Sequence, residues 1–182
     1  MMKYIATILL CISVSGCAGV PDGITPVQNF DAERYMGTWY EIARLDHPFE
    51  RGLTNVTAEY ALQDDEIQVT NRGYNSEAEK WQVARGEAHF VRDKNEGYLK
   101  VSFLGPFYSS YVIFELDAEF YDYAFVTGPD KSYLWLLARK PLVSDEVMES
   151  FLQIAEGHGF AVDQLIFVEH DPPPAAGDLD RK

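Results

Sequence analysis

Cysteine and positive charge are both scarce in this 182-residue sequence. It has two cysteines, Cys11 and Cys17, and 15 Lys and Arg residues against 29 Asp and Glu residues, a formal net charge of -14. Binding to a phosphate backbone needs clustered Lys and Arg, so the composition argues against nucleic acid as a partner. Aromatic residues, by contrast, make up 14% of the chain, which excludes a disordered protein and predicts one folded domain.

A long apolar run is also missing at the N-terminus. Residues 4–14 form an apolar run that is too short for a membrane-spanning helix, which needs about 20 residues. With Lys3 before it and small residues after it, the run is typical of a secretory signal peptide over residues 1–16. An ordinary signal peptide followed by an incidental cysteine is one interpretation of this segment.

The residues Val14-Ser15-Gly16-Cys17 resemble the lipobox of bacterial lipoproteins. The resemblance implies cleavage before Cys17 and acylation of that cysteine. Ala18 follows Cys17 at the position where an Asp retains lipoproteins in the inner membrane. The resemblance therefore also implies a location in the outer membrane. Cleavage removes Lys3 and Cys11, so the net charge becomes one unit more negative and no free thiol remains. Several acyl chains on Cys17 are enough for stable anchoring, with the domain facing the periplasm.

Both ends of the remaining chain are poor in core-forming residues. Residues 17–28 contain two glycines and two prolines and are interpreted as the lipidated cysteine and its tether. Residues 171–182 begin with a proline-rich stretch, end in charged residues, and are interpreted as a disordered tail. The folded domain is therefore predicted to be residues 29–170.

Between these limits, β-rich segments alternate with turn signals at short intervals. Eight strands are predicted, over residues 38–45, 56–62, 67–71, 82–91, 98–104, 111–116, 123–127 and 133–139. Such a series indicates an antiparallel sandwich or an up-and-down barrel. Ser144 is a plausible N-cap for one helix, whose apolar face consists of Val147, Phe151, Ile154 and Ala155. A short extra strand follows over residues 165–168.

Three motifs in this order resemble those of the lipocalins. They are Gly37-Thr38-Trp39, then Tyr121-Asp122-Tyr123 with Tyr in place of the usual Thr, and finally residues 134–139, which end in Arg139. With the lipobox, they are similar to the bacterial lipocalins, whose eukaryotic relatives resemble apolipoprotein D. The resemblance implies an all-β, eight-stranded antiparallel up-and-down barrel with the C-terminal helix outside. It also implies structural roles: Gly37 turns the chain into the first strand, and Arg139 lies across Trp39 at the closed end.

Alternating side chains of such a barrel point inward, and the inward set is the candidate ligand site. Parity from Trp39 and Arg139, extended by the family pattern, gives an apolar and aromatic lining: Ala43, Val56, Ala58, Tyr60, Val69, Asn71, Leu99, Val101, Phe103, Tyr111, Ile113, Ala124, Val126, Trp135 and Leu137. Residues 82–91 are left out because bulges shift parity. For each position, ordinary core packing is the alternative. Loops 46–51 and 105–108 border the mouth, where Arg51 either meets a phosphate or carboxylate or is simply solvated.

Three functions remain open at this point. The favoured one is a lipid carrier that binds fatty acids or lysophospholipids and is anchored through Cys17; the resemblance adds envelope maintenance. A lipocalin-fold enzyme is the alternative, but the four histidines are scattered and no thiol, metal-binding or serine-hydrolase motif is present. No metal or cofactor is expected. A third possibility is a barrel filled by its own side chains, and a homodimer is left open.

Overall fold

The structure is a computed structural model, and it describes residues 19–63 and 66–170. The predicted signal peptide, Cys17 and the predicted C-terminal tail lie outside the described residues.

Eight antiparallel strands close into a barrel: β1 (Gly37–Arg44), β2 (Leu53–Gln63), β3 (Glu66–Asn75), β4 (Lys80–Phe90), β5 (Tyr98–Leu104), β6 (Phe107–Leu116), β7 (Tyr123–Thr127) and β8 (Leu134–Ala138). Each strand pairs with the next along the chain, and β1 pairs with both β8 and β2, which closes the sheet. A two-residue strand, β9 (Ile166–Phe167), adds to β1. The predicted fold class is confirmed.

Burial along the strands shows where the barrel wall is covered. Strand β4 exposes much of its length to solvent, whereas β7 and β8 are almost entirely buried on both faces. The second pattern arises because helix α2 (Asp145–Gly157) packs outside these strands, with Phe125 in edge-to-face contact with Phe151. Ser144 caps this helix by accepting a hydrogen bond from the Val147 amide. Within the described residues, no helix has the length and apolarity to cross a bilayer.

A short helix, α1 (Ala32–Tyr35), closes one end of the barrel. Asp31 caps it, and Tyr35 is buried against Trp39, with ring centroids 4.6 Å apart. Tyr121, which replaces the usual Thr, accepts a hydrogen bond from the Asp31 amide at its hydroxyl and carries the Arg34 guanidinium over its ring. The Tyr that departs from the family motif therefore connects the loop between β6 and β7 to helix α1 and its N-cap.

Residues 19–28, which were expected to be a tether, pack on the barrel wall instead. The Gly19 amide donates to Ser110 Oγ at 2.8 Å, and Val27 bridges the backbones of Ile113 and Gly97. Ile24 is buried in the core cluster between the barrel and helix α2. Glycine and proline content hid this packing from the sequence analysis, since the apolar residues between them are too few to show a period. Residues 19–28 therefore pack as part of the folded unit.

Candidate functional site

Most of the predicted lining residues point into the barrel. Eleven of them pack in one apolar cluster with Trp39: Ala58, Tyr60, Val69, Leu99, Val101, Tyr111, Ile113, Ala124, Val126, Trp135 and Leu137. Trp39 itself is fully buried and donates its indole N–H to the Tyr35 carbonyl at 2.8 Å. The parity chosen from the sequence thus holds along most of the strands.

Ala43 is the exception, because it faces away from the interior. It packs in the cluster that lies between the barrel wall and helix α2 and pairs with Leu136 of the same cluster. The register shifts between Glu41 and Ala43, and such a bulge moves every following side chain to the opposite face. The expectation that Ala43 lines the interior is therefore wrong.

The other three predicted lining residues lie nearer the mouth. Val56 is buried beside Gly73. Asn71 pairs with Ala58 across β2 and β3, and its side-chain oxygen is buried without a hydrogen-bond partner. Phe103 is 41% exposed and lies over Gly86, where a Cβ would come within 2.8 Å of its ring.

Strand β4, which the sequence analysis left unassigned, supplies three small inward positions. By register Ala84 lies opposite Asn71, Gly86 opposite Val69, and Ala88 opposite Ile67. Ala84 is exposed although it points inward, so solvent reaches the interior through the mouth. The alternation of side chains along β4 was visible in the sequence. Only the register with β3 shows which of the alternating side chains face the interior.

The closed half of the barrel is filled more tightly. A cavity there is lined by aromatic and aliphatic side chains, namely Phe30, Tyr35, Tyr60, Ile67, Ala88, Leu99, Val101 and Tyr111, and it leaves only about 10 Å³ for the centre of a water molecule. That is the space of about one water. In this structure the barrel is therefore open near its mouth and occupied by its own side chains near its floor.

Three tyrosine hydroxyls form a polar chain in the closed half. Tyr60 donates to the Tyr111 hydroxyl at 2.9 Å, and the hydroxyls of Tyr111 and Tyr35 are 2.8 Å apart. Burial raises the pKa of Tyr60, and likewise those of Tyr35 and Tyr111, so all three stay protonated at neutral pH. Three hydroxyl protons serve two hydrogen bonds within the chain. One O–H therefore remains available to a ligand oxygen.

A buried ionic cluster lies beneath the loop between β1 and β2. Arg44 donates to a Glu41 carboxylate oxygen at 2.6 Å and to the Glu50 carbonyl at 2.9 Å. His47 Nε2 is 2.8 Å from Glu50 Oε2, which also accepts the Trp135 indole N–H at 3.2 Å. Arg44 was not predicted in the interior because the bulge that turns Ala43 outward turns Arg44 inward. Glu41 precedes the bulge and has the same parity as Trp39, but it was not included in the predicted lining.

The two carboxyl groups of this cluster have opposite pKa shifts. Burial raises the pKa of Glu41 well above its ordinary value, and the neighbouring Glu50 carboxylate adds to the effect. Burial acts in the same direction on Glu50, but hydrogen bonding and charge from His47, together with the Trp135 indole, lower the pKa of Glu50 overall. Glu50 is therefore the ionised member of the pair and Glu41 the one that more readily holds a proton.

Arg51, the candidate for contacting an anionic headgroup, is already paired. Its guanidinium donates to both carboxylate oxygens of Asp46, with the shortest contact at 2.6 Å, and both side chains are exposed. Within residues 19–63 and 66–170, no group of three or more histidine, cysteine or carboxylate side chains has the arrangement of a metal site.

The remaining motif residues occupy the closed end. Gly37 has a φ of +94°, a left-handed conformation that favours glycine, at the turn into β1. Asp122 accepts the Arg139 amide at its carbonyl, and Tyr123 begins β7 opposite Ala138. These contacts join the loop after β6 to the end of β8.

Comparisons with known proteins agree with this architecture. Residues 30–170 match the family model described as a Lipocalin-like domain. The chain is 50% identical to the Outer membrane lipoprotein Blc of Vibrio cholerae over 169 residues, which cover 92% of this chain and 99% of that protein. It is 47% identical to the protein of the same name from Escherichia coli, over 93% of this chain and 97% of that protein. The prediction of an outer-membrane lipoprotein is confirmed by these matches.

Two further matches are more distant in sequence. Mouse apolipoprotein D is 28% identical over 149 residues, which cover 77% of each chain. The solved structure of insecticyanin from the tobacco hornworm has a TM-score of 0.67 at 19% identity and covers 85% of this chain and 88% of its own.

Proposed function

Because this chain belongs to the lipocalin family, whose members bind small hydrophobic ligands, we propose that it carries a single-chain lipid, a fatty acid or a lysophospholipid, in its barrel. The acyl chains on Cys17 would hold the protein at the outer membrane with the barrel in the periplasm. The observation that carries the proposal is the open mouth half, where the inward-facing Ala84 is exposed to solvent.

The lining of the mouth half suits an acyl chain. Ala58 and Ala84 are small and leave space in the interior, while Val56 and Phe103 supply apolar surface. Each methylene of a ligand buried there gains about 0.8 kcal/mol. A chain that enters from the mouth would end at the three tyrosines. If the polar head enters first, the spare O–H donates to a ligand oxygen at the floor. If the tail enters first, the polar head remains at the mouth.

The interior of the barrel is better suited to binding a lipid than to catalysis. The polar groups of the interior are tyrosine hydroxyls kept protonated by burial and an ionic cluster whose members pair with one another. None of these groups is arranged as a nucleophile beside a general base, which acyl transfer and isomerisation would need. The family is one of binding proteins, and the protein is a carrier and not an enzyme.

Native mass spectrometry of delipidated protein with a lysophospholipid tests the proposal. We expect a one-to-one complex at micromolar concentration. Ala84→Trp fills the open half from inside, whereas Val83→Trp places the same bulk on the exposed outer face of the same strand. The first variant should bind at least about tenfold more weakly, and the second should bind like the unsubstituted protein. Failure of the unsubstituted protein to bind any single-chain lipid would show a barrel filled by its own side chains.

A further inference from the structure

The outer wall of the barrel carries a group of polar side chains that the lipid site does not use. Ala88 of β4 packs in the interior cluster, so its neighbours Glu87 and His89 face outward. Side chains two residues apart on a strand lie on the same face, and a carboxylate and an imidazole are therefore placed side by side. Both groups are ligands of divalent transition-metal ions in proteins.

Tyr108 on β6 adds a third donor to this pair. Its hydroxyl donates a hydrogen bond to Glu87 Oε1 and lies 3.5 Å from His89 Nε2, and His89 Nε2 is also 3.5 Å from Glu87 Oε1. We call these three atoms the donor triangle. The sequence analysis found no metal-binding motif here because Tyr108 and His89 are 19 positions apart in the chain, and only the pairing of β4, β5 and β6 brings them together.

The sides of the donor triangle fit a tetrahedral ion. Zinc holds nitrogen and oxygen ligands at about 2.0–2.2 Å, so two ligands at tetrahedral corners are about 3.3–3.6 Å apart. Both sides that meet at His89 Nε2 have this length. The third side, between Tyr108 and Glu87, is shorter because the hydroxyl proton lies between the two oxygens. That side lengthens when an ion takes the place of the proton.

Strand β5 contributes a buried hydroxyl beside the donor triangle. Ser102 is opposite Glu87 in the pairing of β4 and β5, and the Tyr108 side chain has to cross β5 to reach Glu87. Ser102 is only 4% exposed, and its Oγ has no hydrogen-bond partner among the described residues. A buried hydroxyl without a partner costs free energy, and a water bound to an ion in the donor triangle would supply that partner.

The surroundings of the donor triangle admit a cation. The side chains of His89 and Glu87 are 27% and 42% exposed, so an ion can enter from solvent and keep a water as its fourth ligand. Lys100 places its ammonium 5.0 Å from the centroid of the Tyr108 ring and disfavours a cation. The hydrogen bond to Glu87 raises the pKa of Tyr108, and the charges of Glu87 and Glu66 act in the same direction. These two carboxylates favour a cation and offset Lys100.

From this arrangement we propose that Glu87, His89 and Tyr108 form a zinc site on the outer wall of the barrel. The ion binds His89 Nε2 and Glu87 Oε1 and displaces the hydroxyl proton of Tyr108, which leaves to solvent. The phenolate oxygen becomes the third protein ligand, and a water is the fourth. The ion joins β4 to β6 across β5 and lies outside the lipid site, so the proposal does not depend on lipid carriage.

Ultraviolet difference spectroscopy tests the site, because it detects a tyrosinate that forms at neutral pH. The acylated protein in detergent is titrated with Zn²⁺ alone, and with Mg²⁺ as the control ion, since Mg²⁺ prefers an octahedral shell of oxygen ligands. We expect one Zn²⁺ per chain, a tyrosinate band that grows with bound Zn²⁺, and no band with Mg²⁺. Titration calorimetry in two buffers of different ionisation enthalpy should show the release of about one proton per ion.

Substitutions separate the donor triangle from other zinc-binding groups. His89→Gln should bind Zn²⁺ at least about tenfold more weakly. His158→Gln changes a histidine that packs edge-on against Phe114, and it should bind like the unsubstituted protein. Tyr108→Phe should lose the tyrosinate band and the proton release. Glu87→Gln keeps an acceptor for the Tyr108 hydroxyl and should also bind more weakly, and circular dichroism shows that each variant is folded.

Three results would each overturn the proposal. They are no binding of Zn²⁺, binding without a tyrosinate band, and equal affinities of folded His89→Gln or Glu87→Gln and the unsubstituted protein. None of these results bears on the lipid site, because the side chains of the donor triangle face outward.

Discussion

The guanidinium of Arg139 lies over the ring of Trp39, 3.9 Å from its centroid. Its nitrogens also donate to three backbone carbonyls, those of Arg34, Thr38 and Tyr121. One side chain after β8 thus joins helix α1, the start of β1 and the loop after β6. Through these contacts Arg139 holds the elements of the closed end together.

Replacing Arg139 by Lys tests how much these contacts stabilise the protein. Lysine keeps the positive charge but cannot donate to three carbonyls from one planar group. We expect a loss of about 2–3 kcal/mol in the free energy of unfolding, measured by urea denaturation. Arg92→Lys is a suitable comparison, because Arg92 is largely exposed and pairs with Glu96 at 2.9 Å; it should cost less than about 1 kcal/mol. Equal losses in both variants would contradict the role of Arg139.

The raised pKa of Glu41 predicts a pH dependence of stability. The folded state holds the Glu41 proton more tightly than the unfolded chain does, so its contribution to stability is complete below the ordinary pKa of a glutamate. It is lost as the pH rises toward the folded value. Glu50 has a lowered pKa, so its own contribution changes in the acid range, where stability falls as the pH falls through the folded pKa of Glu50.

Glu41→Gln isolates the first of these effects. The amide cannot titrate, so the stability advantage of the unsubstituted protein over the variant should shrink as the pH rises from the ordinary pKa of a glutamate into the neutral range and beyond. Urea midpoints of both proteins at a series of pH values measure this difference. A difference that grows over that range would show that Glu41 has a lowered pKa.

Gly86 tests the close approach of strands β4 and β5. A Cβ at this position would overlap the Ser102 carbonyl oxygen and lie 2.8 Å from the Phe103 ring, and the backbone carbonyl cannot move away without disturbing the strand pairing. Gly86→Ala should therefore destabilise the protein by about 1–3 kcal/mol. Thermal unfolding measures the loss, and a variant as stable as the unsubstituted protein would show that the strands are farther apart there.

Tyr111 is the centre of the three-hydroxyl chain in the closed half. Tyr111→Phe leaves Tyr60 and Tyr35 without their shared partner in a buried site, and it should cost about 1–3 kcal/mol. Tyr35→Phe removes only the end of the chain and leaves the bond between Tyr60 and Tyr111 intact. Its cost should be smaller, and a larger loss for Tyr35→Phe in chemical denaturation would contradict the proposed order of the chain.

The strand series, the outer helix and most of the inward positions were predictable from the sequence, because alternation and the three motifs are local signals. The exceptions come from features that local patterns do not contain. The bulge after Glu41 reverses Ala43 and Arg44 and so hides the ionic cluster. The inward set of β4 needed its register with β3. The docking of Gly19 on Ser110 depends on a contact between residues that are 91 positions apart.

The carrier function requires a single-chain lipid in the open half of the barrel, and a crystal structure of the protein grown with a lysophospholipid would show whether one binds there. We expect elongated electron density that passes Ala84 and Val101 and ends near the hydroxyl of Tyr111. Side chains of the barrel, with Phe103 and Trp135 folded into that space and no ligand density, would contradict it.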